Sequence, residues 1–219
     1  MDSETTGKAL VVKSNNLIEA PTNLSTFEQR IVLYVCSQIN RSDSDFKEYF
    51  IEIPLFRKMI GLSQGYNNHD IRDRLTDLLK KVVELRPHGS KPNDRYILTH
   101  WLSSAEVDFD RSLIKVRIDP ALRPYLLQLQ GNFTSYQLKY CIQFHHKSTF
   151  KIYEVLKQHI RFKGRAFKLD ELKYYLGISD HQYMVYKNFK NRILLPVTDE
   201  INSKSDIAIE FEQLTYGRK

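Results

Sequence analysis

Within one short stretch, Lys187, Asn188, Lys190, Asn191 and Arg192 gather the side chains best suited to reading DNA, with no acidic residue among them. Arginine bonds the O6 and N7 of guanine with both arms of its guanidinium, asparagine pairs with the N6 and N7 of adenine, and lysine more often settles on phosphate. Arg192 is therefore the candidate for guanine, Asn188 or Asn191 for adenine, and Lys187 and Lys190 for the backbone. The same stretch carries Phe189, Ile193, Val197 and Ile201 at four-residue intervals. Such a stripe anchors a helix to a core and turns the polar residues outward. Because the N-terminal part of a recognition helix enters the major groove, residues 183–202 are expected to form one. Pro196 removes one helical hydrogen bond, so a kink or restart is expected there. Beyond it, Asp199 and Glu200 turn the face acidic and away from DNA.

A second, weaker candidate lies in the first half. Ile71, Leu75, Leu78, Leu79 and Val82 form an apolar stripe over an expected helix at 69–85, with Arg72, Arg74, Lys80 and Lys81 largely off it. Asp70, Asp73, Asp77 and Glu84 share that outer face, so this helix is nearly neutral.

Other chemistries find little support. His145 and His146 are adjacent, which sends their side chains in different directions on a helix or a strand. A rolling-circle nuclease needs instead two histidines on one strand, separated by one apolar residue, to hold its metal. No GxxxxGK[ST] phosphate loop is present. Cys36 and Cys141 lie far apart in apolar helical stretches and have no metal-ligand spacing, as expected of core thiols in a cytosolic protein. No catalytic residue, metal or cofactor is expected. The longest apolar run, 31–36, is far short of the ~20 residues of a membrane span, and the N-terminus lacks a signal-peptide pattern. A cytoplasmic protein without a membrane partner is expected. Thirty-three Lys and Arg against 26 Asp and Glu give a net charge of +7, a surplus that favours a polyanionic partner.

What must position the basic stretch is visible as an internal repeat. Residues 53–63, IPLFRKMIGLS, reappear as residues 169–179, LDELKYYLGIS, so that Ile53, Phe56, Ile60, Gly61 and Ser63 fall on Leu169, Leu172, Leu176, Gly177 and Ser179. The spacing is helical, with glycine where a helix stops. Helices are also expected at 15–20, ended by Pro21, at 25–39, opened by a Ser25/Glu28 capping box, and at 120–129, 134–144 and 148–162. Strand signals fall at 46–53, 96–101, 105–109 and 113–118, with a short one at 165–168, while 64–68 and 87–94 read as turn and loop. The pattern predicts an α+β fold of two tandem winged-helix domains, each a helix-turn-helix with a β-wing. The expected organisation is a flexible N-terminus over 1–14, a first domain over 15–130 and a second over 131–219.

Beyond these patterns, the segments KSNNLIEAPTNLSTFEQRIVLY, NFTSYQLK, STFKIYEVLKQ, LDELKYYLGI, YKNFKNRILLPVTDEINSKSDI and FEQLTYGRK resemble, in this order, the plasmid replication initiators that bind origin repeats called iterons. That resemblance implies binding of double-stranded iteron DNA, opening of the origin and recruitment of the host's initiator and helicase proteins. It also implies self-association, with a dimer that represses its own gene through contacts of the first domain and a monomer that initiates. By position, residues 186–202 match the family's second recognition helix, Lys190 and Arg192 its basic base-reading positions, and Gly217, Arg218 and Lys219 the tip of its second wing. The family pattern continues past this point with another wing strand, so a shortened second wing is expected. The alternative reading is a winged-helix transcriptional repressor without initiator activity, since fold and DNA binding do not specify the downstream event.

Overall fold

Strands form in this chain where an alternating segment finds a partner, and two of those partners are distant in sequence. The computed structural model describes residues 9–40, 42–60, 68–86, 95–162 and 164–214. Strand β1 (Leu10–Ser14) pairs antiparallel with β7 (Phe133–Gln137), setting buried Val11 opposite buried Tyr136. Residues 10–14 are therefore ordered, where a flexible N-terminus was expected. Residues 133–137 are strand, where the apolar pattern of 134–144 suggested helix. Alternate burial of Thr134 and Tyr136 is a period-two pattern that becomes useful only once β1 is present.

A three-stranded sheet runs in the order β2 (Tyr49–Glu52), β6 (Leu113–Ile118), β5 (Leu102–Asp108), with Ile51 facing Ile114 and Tyr49 facing Val116. The expected helix at 69–85 is shorter. It spans Asn68–Leu79, and Val82–Leu85 becomes strand β3, paired with β4 (Ile97–His100). Adjacent β-branched Val82 and Val83 favour the pleated surface that β4 supplies.

The helices are α1 (Asn15–Glu19), α2 (Thr26–Cys36), α3 (Ile53–Ile60), α4 (Asn68–Leu79), the short α5 (Arg123–Leu126) and α6 (Leu138–Cys141), then α7 (Lys147–Gln158) and α8 (Leu169–Tyr175). A 3-10 turn, Pro120–Leu122, precedes α5, so the helix expected over 120–129 is broken up. No strand forms over 165–168. The backbone N–H of Ser25 donates to the Glu28 carboxylate at 2.7 Å, fixing the start of α2. The expected turn at 64–68 falls almost wholly outside the described residues, and the loop at 87–94 wholly so.

Between α2, α7 and the β1–β7 ladder the core encloses charge. Lys13 pairs with Glu154 at 2.8 Å, with both side chains 6% exposed. The Tyr136 hydroxyl also donates to Glu154, and the Lys13 ammonium lies 5.3 Å from the Trp101 ring centre. Lys151, one helical turn before Val155, donates to the carbonyls of Ile18 at 2.5 Å and Ala20 at 2.8 Å, closing the end of α1 against α7. Burial lowers the Lys151 ammonium to about 8.

Candidate nucleic-acid interface

The basic stretch folds into one continuous helical rod of three segments: Tyr186–Phe189 α-helical, Lys190–Leu194 a π-turn and Leu195–Lys204 α-helical again. The π-turn is the geometric answer to the four-residue stripe. In an ideal α-helix a four-residue step overshoots one full turn by about 40°, so three such steps would swing the stripe by about 120° off the core. One wide turn, closed by the Leu195 N–H donating to the Lys190 carbonyl five residues back, takes up that drift. Phe189, Ile193, Val197 and Ile201 then all remain buried, none more than 3% exposed. The expected kink at Pro196 takes this form, with the α-helix restarting one residue before the proline.

Facing away from the core, Lys187, Asn188, Lys190, Asn191 and Arg192 are all exposed. The side chains of Lys187, Asn188, Asn191 and Arg192 have no partner among the described residues. Lys190 leans over the Phe211 ring, its ammonium 5.9 Å from the ring centre. The structure thus brings the five predicted readers onto one half of one rod, all exposed, with only Lys190 engaged by a neighbour among the described residues.

Acidic Glu200, on the same rod, turns inward. Its carboxylate accepts from the backbone N–H groups of His145 and His146 at 2.7 and 3.0 Å, the Thr149 hydroxyl at 2.7 Å and Lys204 at 2.9 Å. Burial pushes this carboxyl up, but the hydrogen bonds outweigh it and bring the group down to about 2. His146 returns the contact: its Nδ1 accepts from the Ser148 N–H at 3.3 Å, and its ring also bonds the backbone of Arg192. The two histidines therefore clamp α7 to the rod.

At the far end, the Asn202 amide holds the chain that follows as a strand neighbour would. Its oxygen accepts from the Ile209 N–H at 2.7 Å and its nitrogen donates to the Ile209 carbonyl at 2.9 Å. Residues 207–211 alternate between half-buried and exposed, with Ile207 and Ile209 against the core, but form no ladder among the described residues. Arg218 and Lys219, expected at a wing tip, lie outside the described residues, as does Gly217.

In the first half the predicted cations divide. Arg72 and Lys80 are exposed and without a partner among the described residues. Arg74 stacks on Phe27 at 4.7 Å, tying α4 to α2, and Lys81, just past the end of α4, pairs with buried Glu28 of α2 at 3.6 Å. The structure does not gather these four with the five on the rod into a single cluster of contacts.

Sequence reasoning missed the residues that join the halves. Arg165 bonds Glu19 at 3.4 Å on one side and Glu171 and Tyr175 at 2.7 and 3.1 Å on the other. Arg86, after β3, lies 4.9 Å from the Tyr174 ring centre. Gly177 ends α8 at φ +61, with Gly177 N–H to Tyr174 and Ile178 N–H to Lys173 completing the left-handed cap. The repeated glycine was the available signal for that cap, whereas nothing in the sequence marked Arg165. Among the described residues no group of His, Cys, Asp or Glu is placed to hold a metal, and no helix is long and apolar enough to cross a membrane.

Two family models cover this arrangement: initiator replication protein WH1 matches residues 10–157, and initiator Rep protein WH2 matches residues 168–219. An Escherichia coli protein described as an uncharacterized 27.6 kDa protein is 21% identical over 213 residues, spanning 92% of this chain and 81% of its own. The solved structure of Pi initiator protein in complex with iteron DNA shares 17% identity and superposes with a TM-score of 0.72, over 97% of this chain and 94% of that one. The fold is thereby two winged-helix units in tandem.

Proposed function

Because this chain belongs to the initiator replication protein family, we propose that it is a plasmid replication initiator that binds iteron repeats in duplex DNA. One observation carries this reading: a rod pinned by four buried apolar residues presents Lys187, Asn188, Asn191 and Arg192 outward, all exposed and without a partner among the described residues. A protein–protein module would leave those groups without a reason, whereas a major groove supplies phosphates and base edges for each. Arg192 reads guanine, Asn188 or Asn191 reads adenine, and Lys187 and Lys190 hold phosphates. Arg72 and Lys80 add backbone contacts from the first unit.

The finer assignment follows the family. The second unit, which carries the rod, forms the main reading unit, and the first unit adds a second DNA contact and the dimer contact. The monomer opens the origin and recruits the host's initiator and helicase proteins, and the dimer represses its own gene. Tandem direct repeats beside the coding region support initiation, and a lone inverted repeat supports the repressor alternative. Titration of a labelled repeat duplex against random duplex over a range of salt tests the binding step. The logarithm of the association constant is expected to fall linearly with log salt, by about 0.9 per phosphate contacted. A flat salt response, or equal affinity for both duplexes, overturns the reading.

A further inference from the structure

The two residues just before the recognition rod are among the most exposed large apolar side chains described: Met184 at 79% and Val185 at 59%. Their exposure is imposed by the backbone. Tyr183 adopts φ +51, a left-handed conformation that a bulky residue rarely takes. That turn sends the Tyr183 ring inward, where it meets Phe189 edge-on at 6.1 Å, and sends the next two side chains out. Val185 then occupies the N-cap position, where a residue with a side-chain oxygen is favoured, and makes no side-chain cap. The helix start is thus built around an apolar residue at the expense of its own capping.

What can cover this pair is limited by its neighbours. Lys187, Asn188 and Arg192 follow at once, exposed and without partners among the described residues. An apolar protein surface or a lipid tail seated on Met184 and Val185 would strip water from those cations and return nothing. The major groove of DNA offers both halves of the match: phosphates for the cations and, on each thymine, a C5-methyl projecting among the base edges.

We propose that Met184 and Val185 form an apolar reading element that packs on thymine methyl groups, next to the bases read by Asn188, Asn191 and Arg192. The element rests on the DNA-binding reading above and adds a base class that the polar residues cannot recognise. It makes the start of the rod selective for thymine through shape and water exclusion, with no hydrogen bond.

Deoxyuridine differs from thymidine only by lacking that methyl, so it isolates the contact. A preferred duplex is first selected from a random pool with the full-length chain, and each thymine is then replaced singly by deoxyuridine. Affinity is expected to fall about fourfold at one or two positions, the worth of one buried methyl. In the Met184→Ala/Val185→Ala chain the same positions are expected to lose their sensitivity, while the slope with salt stays unchanged. Both side chains are exposed, so the variant keeps the core intact, and Val185→Thr, which retains one methyl, is expected to keep part of the effect. Selective binding with no sensitive thymine, or unchanged sensitivity in the double variant, overturns this inference alone. Failure of the wild-type chain to select any duplex overturns the DNA-binding reading together with it.

Discussion

Gly177 and Thr22 meet across the joint between the two units so closely that a Cβ on the glycine would lie 2.1 Å from the Thr22 carbonyl oxygen. No real Cβ tolerates that distance, and the obstacle is backbone, which cannot swing aside as a side chain can. The glycine thus serves two demands at once, the left-handed cap of α8 and the approach of the segment after Pro21. Arg165, bridging Glu19 to Glu171, stands beside the same joint.

Gly177→Ala is accordingly expected to destabilise the chain by about 2–4 kcal/mol. Gly177→Asn separates the two causes, since asparagine accepts the left-handed conformation but still carries a Cβ. Thermal unfolding is expected to show nearly the same loss for both variants. Full recovery in the asparagine variant would mean that conformation alone demanded glycine and that the joint can open to admit a side chain.

How far the sequence revealed this molecule depended on the range of the interaction. The rod itself was legible because its four anchors and five outward polar residues follow one another within a single element. Even its π-turn is written in the strict four-residue spacing of Phe189, Ile193, Val197 and Ile201. Strands β1 and β7 were hidden because each acquires its meaning from the other, across most of the chain length. Val82 continued the apolar stripe of α4 at helical spacing, so only the presence of β4 shows that it belongs to a strand. Arg74 and Lys81 read as free cations because Phe27 and Glu28, which occupy them, sit on another helix. Family resemblance supplied the winged-helix pairing, which the repeat alone suggested less specifically.

Reading and positioning are expected to separate within the rod. Arg192→Ala should cost about 1–3 kcal/mol on the preferred repeat and relax selectivity at one base position. Lys187→Ala should weaken binding to all duplexes alike and lower the salt slope by about one. Parallel titrations on repeat and random duplexes check both. Equal losses from the two variants on both duplexes would remove this rod from the role of base reader.

The buried pair Lys13–Glu154 is expected to matter more for what remains when it is broken than for its own strength. Lys13→Met leaves the Glu154 carboxylate buried without its cation and should cost about 3–5 kcal/mol in denaturant unfolding. Replacing both, as Lys13→Met with Glu154→Leu, should recover a large part of that loss, although the Tyr136 hydroxyl then also lacks its acceptor. A double variant as unstable as the sum of the two singles would show that the residues act independently, contrary to the contact of 2.8 Å between them.

Glu200 makes the attachment of the rod sensitive to acid. Its carboxyl is lowered to about 2 in the folded chain by the bonds from Thr149, Lys204 and the α7 entry, even against burial, which acts in the opposite direction. An unfolded glutamate titrates near about 4.3. Between those values the unfolded chain binds more protons than the folded one, so stability falls as pH falls. The contribution of Glu200 is therefore complete above about pH 5 and is progressively lost toward pH 2. Glu200→Gln is expected to lower stability at pH 7 by about 1–3 kcal/mol, because its amide presents a donor to N–H groups that need an acceptor. The variant should also lose less than the wild-type chain between pH 5 and pH 2, in urea unfolding across that range. Parallel pH dependences in the two chains would show that acid acts through other carboxylates, such as Asp206 beside Lys157, and that the clamp on α7 holds without the charge on Glu200.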